Sequence, residues 1–112
     1  MKLPNAHLAL AEQSKIIEYL LNPAHPDNGG KALFFQSLGF RPEEWQVLAD
    51  AFRKLAQTGE VSKSMESPHG CKYILDGYIE TPSGRTSMVR IIWIVDRGVN
   101  TPRLVTAYPH SE

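Results

Sequence analysis

A single cysteine, Cys71, stands in the whole sequence. It excludes an internal disulfide framework and fits a reducing, cytoplasmic location. No apolar run is long enough to span a bilayer, and the opening Met1-Lys2-Leu3-Pro4-Asn5 lacks the apolar stretch of a secretory signal. An excess of charge is missing too: 12 Lys and Arg balance 12 Asp and Glu. Coating of DNA by bulk electrostatics is thereby disfavoured, although a local basic patch is not. No two histidines stand at helical metal-ligand spacing and Cys71 has no second thiol, so the reading is no metal and no cofactor. Dinucleotide fingerprints, repeats and low-complexity tracts are absent as well.

What is present reads as one domain over 1–112, with a helical part over about 11–58 and a sheet part over about 60–109. The Thr81-Pro-Ser-Gly-Arg85 stretch suits a three-residue hairpin loop with Gly84 at positive φ. If Thr81 faces Arg85, the register follows by arithmetic. Cys71 falls opposite Val95, Tyr73 opposite Trp93 and Leu75 opposite Ile91, all on one apolar face. The other face pairs Lys72 with Ile94, Ile74 with Ile92, Asp76 with Arg90 and Tyr78 with Met88. A slip by one residue would drive Lys72 and Arg90 into the core. Pro102 to Tyr108 reads as a further strand, and Glu60 to Met65 as another, with Val61, Lys63 and Met65 alternating against their neighbours.

Upstream, apolar spacing predicts helices over Glu12–Leu21, Lys31–Leu38 and Pro42–Gln57, after an extended opening segment. Leu33, Phe34, Phe35 and Leu38 read as largely buried, and Trp45, Leu48, Phe52 and Leu55 form one stripe. Pro109 to Glu112 reads as a frayed tail. Helices first and strands after argue for an α+β fold: N-terminal helices packed on one face of a three- or four-stranded antiparallel meander.

Asn22-Pro-Ala-His-Pro, Gly30-Lys-Ala-Leu-Phe-Phe, Leu38-Gly-Phe, Gly70-Cys-Lys-Tyr, Thr81-Pro-Ser-Gly-Arg, Val89-Arg-Ile-Ile-Trp and Val105-Thr-Ala-Tyr-Pro occur in that order. The set resembles the bacterial family catalogued as domain of unknown function 6883, over nearly the whole chain. A looser resemblance is to the barnase–EndoU–colicin–RelE-like ribonuclease toxin fold. There a closing strand often carries Thr or Ser two residues before Tyr, as Thr106 and Tyr108 do here. That likeness implies metal-independent RNA cleavage and a place as toxin in a toxin–antitoxin or contact-dependent system.

Such cleavage needs a base, an acid and donors for phosphate oxygens. Lys72 and Arg90 supply positive charge, Thr106 and Tyr108 supply hydrogen-bond donors, and Tyr78 offers a ring for a base. His25 and His69, both beside prolines, are the candidate proton carriers, ahead of His7 and His110 near the termini. Lys31, after Asn28-Gly29-Gly30, is a candidate phosphate contact. Each also has a structural reading: turn histidines, a capping turn before a helix, and a solvated sheet face. Cys71 and Trp93 read as core residues. The competing function is a non-catalytic interaction module of the immunity or antitoxin type, with Ile74, Ile92 and Ile94 forming its docking face. The expected partners are RNA, or a small antitoxin or immunity protein, with no membrane and no bulk DNA binding.

Overall fold

The structure, a computed structural model, describes residues 1–111. Four antiparallel strands form a meander in the order β1-β2-β3-β4: β1 Val61–Ser67, β2 Gly70–Glu80, β3 Thr86–Asp96 and β4 Arg103–Pro109. Two α-helices, α1 Lys31–Ser37 and α2 Trp45–Thr58, precede the sheet, as does a π-helix over Lys15–Leu20. The α+β reading is correct.

The hairpin sets the rest. Gly84 takes φ 85°, and its N–H donates to the Thr81 carbonyl at 3.0 Å. From there Leu75 pairs with Ile91, Tyr73 with Trp93, Asp76 with Arg90 and Lys72 with Ile94, as the arithmetic requires. Leu75, Ile79, Val89, Ile91 and Trp93 are buried under the helices. Leu48, Phe52 and Leu55 of α2 meet them, and Phe35 of α1 sets its ring edge-on to Phe52 and Phe40. Each such buried side chain contributes about 1.5–3 kcal/mol.

Two bulges interrupt the alternation. In β4, Trp93 pairs with Leu104 but Ile92 pairs with Thr106, leaving Val105 as an extra residue. Leu104 and Ala107, three apart, both reach the core. The bulge therefore turns Thr106 and Tyr108 toward the uncovered face. In β1 a shift between Val61 and Lys63 breaks the expected alternation, so that Val61 packs on the core while Lys63 sits opposite Ile74.

Other expectations need correcting. The first helix winds mostly as a π-helix, with the Leu21 N–H bonded to the Ile16 carbonyl at 2.9 Å. Asn28, buried in the following loop, draws its end inward: Nδ2 donates to the Tyr19 carbonyl at 2.6 Å while Oδ1 accepts from the Ala32 N–H at 2.8 Å. The opening segment is not simply extended. It makes a 3-10 turn at Ala6–Leu8, then bridges in parallel through Leu10 to Arg103, covering part of the β4 edge. The longest helix begins as a 3-10 turn, Pro42–Glu44, before α2. Leu33 is 67% exposed, because the short α1 buries only the stripe of Ala32 and Phe35. Cys71 is partly exposed at an end of the sheet, beside the equally half-buried Val95. The tail is not frayed at His110, whose N–H donates to the Met88 carbonyl at 3.2 Å; Glu112 lies outside the described residues.

The tight β1–β2 turn rests on Gly70 at φ 149°, where an added Cβ would stand 2.3 Å from the Val95 carbonyl oxygen. Gly70→Ala is expected to cost about 2–4 kcal/mol, read as a lower urea midpoint by far-ultraviolet circular dichroism.

Candidate active site on the open sheet face

The face away from the helices carries a polar row across three strands: Asp76 on β2, Arg90 on β3 and Tyr108 on β4. Arg90 donates Nε to Asp76 Oδ1 at 2.7 Å and Nη2 to Oδ2 at 2.8 Å. His110, one residue beyond β4, returns to the same row with Nε2 3.6 Å from Asp76 Oδ2. Asp76 takes two of the five N–H groups of the Arg90 fork, and the Tyr108 side chain hydrogen-bonds to the same guanidinium. The Asp76 side chain is 19% exposed and that of Arg90 31%, so the pair is shielded yet reachable.

Hydrogen bonding and charge from Arg90 hold the Asp76 carboxyl below the usual carboxylate range, against the opposing effect of burial; His110 and Ser62 add smaller shares. Arg90 is pushed above its ordinary value by Asp76 first, with a smaller contribution from Tyr108. The result is a fixed anion that orients one guanidinium and one imidazole beside a phenol. Such a row can hold a phosphate and move protons next to it.

The predicted residues fall into separate groups. Arg90, Tyr108 and Thr106 come together, with Thr106 and Tyr108 on the same side of β4, two residues or about 6–7 Å apart. Thr106 Oγ1 also meets the Tyr19 hydroxyl at 3.0 Å. His25 and Lys31 stand on that side of the molecule, around the Tyr19 ring. The rings of His25 and Tyr19 meet edge-on at 5.0 Å, and Lys31 Nζ lies 5.5 Å from the Tyr19 centroid. Lys31 Nζ also donates to the Asn28 carbonyl at 3.2 Å.

Lys72 is elsewhere, four residues from Asp76 along β2, or about 13 Å. With His69 it lines a groove of about 640 Å³ that also includes Arg103, whose Nε meets Asp96 at 2.7 Å. Lys72 and Arg90 therefore do not form one tight pocket. Tyr78 is 58% exposed opposite Met88, next to a groove under α2. Among the described residues, no three His, Cys, Asp or Glu side chains gather as metal ligands would. No helix of the described chain is long and apolar enough to cross a membrane.

Sequence reasoning ranked His110 behind His25 and His69 and left Asp76 out as a site member. The signal was the alternation Thr106-x-Tyr108-x-His110, which places all three on one side once the strand is allowed to run through Pro109.

The sign of the Asp76 shift gives a prediction. Its depressed folded value adds stability that is present above the ordinary carboxylate pKa and fades as pH falls through the folded value. Asp76→Asn should cost about 1–3 kcal/mol at neutral pH by leaving Arg90 unmatched. It should also lose less stability than the parent chain below about pH 4. Urea midpoints at neutral and acid pH check both.

Comparison with known proteins adds two findings. One chain of a contact-dependent growth inhibition toxin–immunity protein complex from Klebsiella pneumoniae 342 matches with a TM-score of 0.75, covering 96% of this chain and 97% of that one. Identity is 18%, so the likeness establishes a shared fold. No curated protein sequence matches the chain. The family model of the domain of unknown function DUF6883 matches residues 2–111, nearly end to end, and the chain belongs to that family.

Proposed function

We propose that this protein is a metal-independent ribonuclease-like toxin component of a toxin–antitoxin or contact-dependent system, and that the open sheet face cleaves RNA. The carrying observation is the Asp76–Arg90–Tyr108 row with His110 folded back against Asp76. His110 takes the proton of the 2′-hydroxyl, and the 2′-oxygen forms a bond to phosphorus. The Arg90 guanidinium holds the non-bridging oxygens as negative charge builds there. The bond from phosphorus to the 5′-oxygen breaks, and the Tyr108 hydroxyl gives that oxygen its proton. The products are a 2′,3′-cyclic phosphate and a 5′-hydroxyl; solvent then restores both protein groups.

In this reading Thr106 donates beside Tyr108. Lys72, with His69 near it, meets a phosphate further along the strand, and Tyr78 offers a ring to a base. The fold shared with a toxin–immunity complex chain supports a paired system, in which a protein partner of the immunity or antitoxin kind covers the open face. A purely docking role has less support, because Ile74 and Ile94 are only 8% and 7% exposed and present little apolar surface.

Inducible expression with RNA integrity followed over time is the direct test, together with the purified chain, freed of any partner, acting on RNA. Cleavage that falls about 10²–10⁴-fold in His110→Ala and in Arg90→Ala is the expected result. RNA left intact by the purified chain, or cut as fast by those variants, would overturn the proposal.

A further inference from the structure

Beside the row lies a second concavity, of which the chemistry above uses Thr106 alone. The π-helix and the loop after it face the bulged part of β4 across an open groove of about 520 Å³. That volume is within the range of small-ligand sites. The Tyr19 ring is its wall and Val105 its floor, and its polar groups include the Thr106 hydroxyl, the Glu18 and Asp27 carboxylates, His25 and the Lys15 ammonium.

The groove is held in shape. Asn28, 3% exposed, ties the loop to the end of the π-helix and to α1. His25 Nδ1 accepts from the Asp27 N–H at 3.1 Å, which fixes the rim that carries the Asp27 carboxylate. The bond between the Tyr19 hydroxyl and Thr106 Oγ1 closes the side toward β4. Lys15 Nζ lies 5.3 Å from the Tyr19 centroid.

The chemistry selects the ligand. The Glu18 and Asp27 carboxylates outnumber the one ammonium of the lining, Lys15, so a phosphate gains little there, and a plain hydrocarbon would leave the polar groups unmatched. A flat neutral ring that carries N–H donors suits both the aromatic wall and the acceptors. Thr106, on the groove wall, stands about 6–7 Å from Tyr108 in the row. A nucleotide with its phosphate at Arg90 therefore has a neighbour of its own size to place.

We infer that this groove is a nucleobase pocket: it takes the base next to the cleaved bond and favours one whose edge offers N–H donors to Glu18 and Asp27. The inference rests on the ribonuclease reading for its place in the reaction, but not for binding of the base. The bulge at Val105 gives the pocket its floor, and the π-helix gives it an aromatic wall.

The experiment maps cleavage ends on one unstructured RNA of mixed sequence, using the full chain and a Glu18→Gln, Asp27→Asn double variant. Both positions are exposed, so folding is kept. The parent chain is expected to prefer one base beside the cut by about tenfold, and the variant to lose most of that preference. Cleavage with the same preference in both proteins overturns the pocket. RNA left intact by the parent chain sinks the ribonuclease reading instead. The pocket is then tested alone by titrating guanosine, adenosine, cytidine and uridine against the Tyr19 and His25 ring signals in nuclear magnetic resonance spectra. Shifts that the double variant abolishes uphold the pocket, and any other result overturns it.

Discussion

Arg90 and Asp76 face each other across the two central strands and join through two hydrogen bonds. That contact ties the register of the sheet to the chemistry of its open side. A slip by one residue would carry a guanidinium beneath the helices, where nothing pairs it, at a cost of several kcal/mol. The same register lets Leu75, Ile91 and Trp93 form the floor of the core. Fold and candidate site thus depend on one alternation, with apolar side chains facing the helices and the charged pair facing away.

The central hairpin was legible because its loop fixes the geometry. Pro82 and Gly84 allow few turn conformations, and from Thr81 and Arg85 onward pairing is only counting. Strand β4 was harder. Leu104 and Ala107 stand an odd number apart, yet both are buried, which requires a bulge that two-residue periodicity does not announce. His110 ranked low because it lies near the terminus and Pro109 reads as a stop. On an edge strand a proline costs no ladder bond when its nitrogen faces outward, so the chain pairs once more with Met88 beyond it. The π-helix also escaped notice. Helical spacing marks Ile16 and Leu20 as buried in either kind of helix, and it does not announce the Asn28 side chain that bonds to the Tyr19 carbonyl at the helix end.

Function was legible as a kind of surface rather than as a set of residues. Composition removed disulfide scaffolds and bulk nucleic-acid coats, and the hairpin located a mixed polar face. What sequence spacing did not supply was grouping. Arg90, Tyr108 and Thr106 adjoin, whereas Lys72 and His69 lie in a separate groove toward the other end of the sheet, and His25 and Lys31 frame the Tyr19 ring. Along the strands the Lys72 groove comes first, the pocket beside Tyr19 next at the level of Thr106, and the proton-moving row last, so an extended strand of RNA would meet them in that order.

Isoleucine methyl signals test the central claim most directly, because isoleucines line both faces of the sheet. A short DNA oligonucleotide lacks the 2′-hydroxyl and cannot be cut by this route, so it reports binding alone. Added to the intact chain, it should shift the methyl signals of Ile74, Ile92 and Ile94 and leave those of Ile16, Ile79 and Ile91 in place. Shifts confined to the second group, or no shifts at all, would contradict the assignment of the working face.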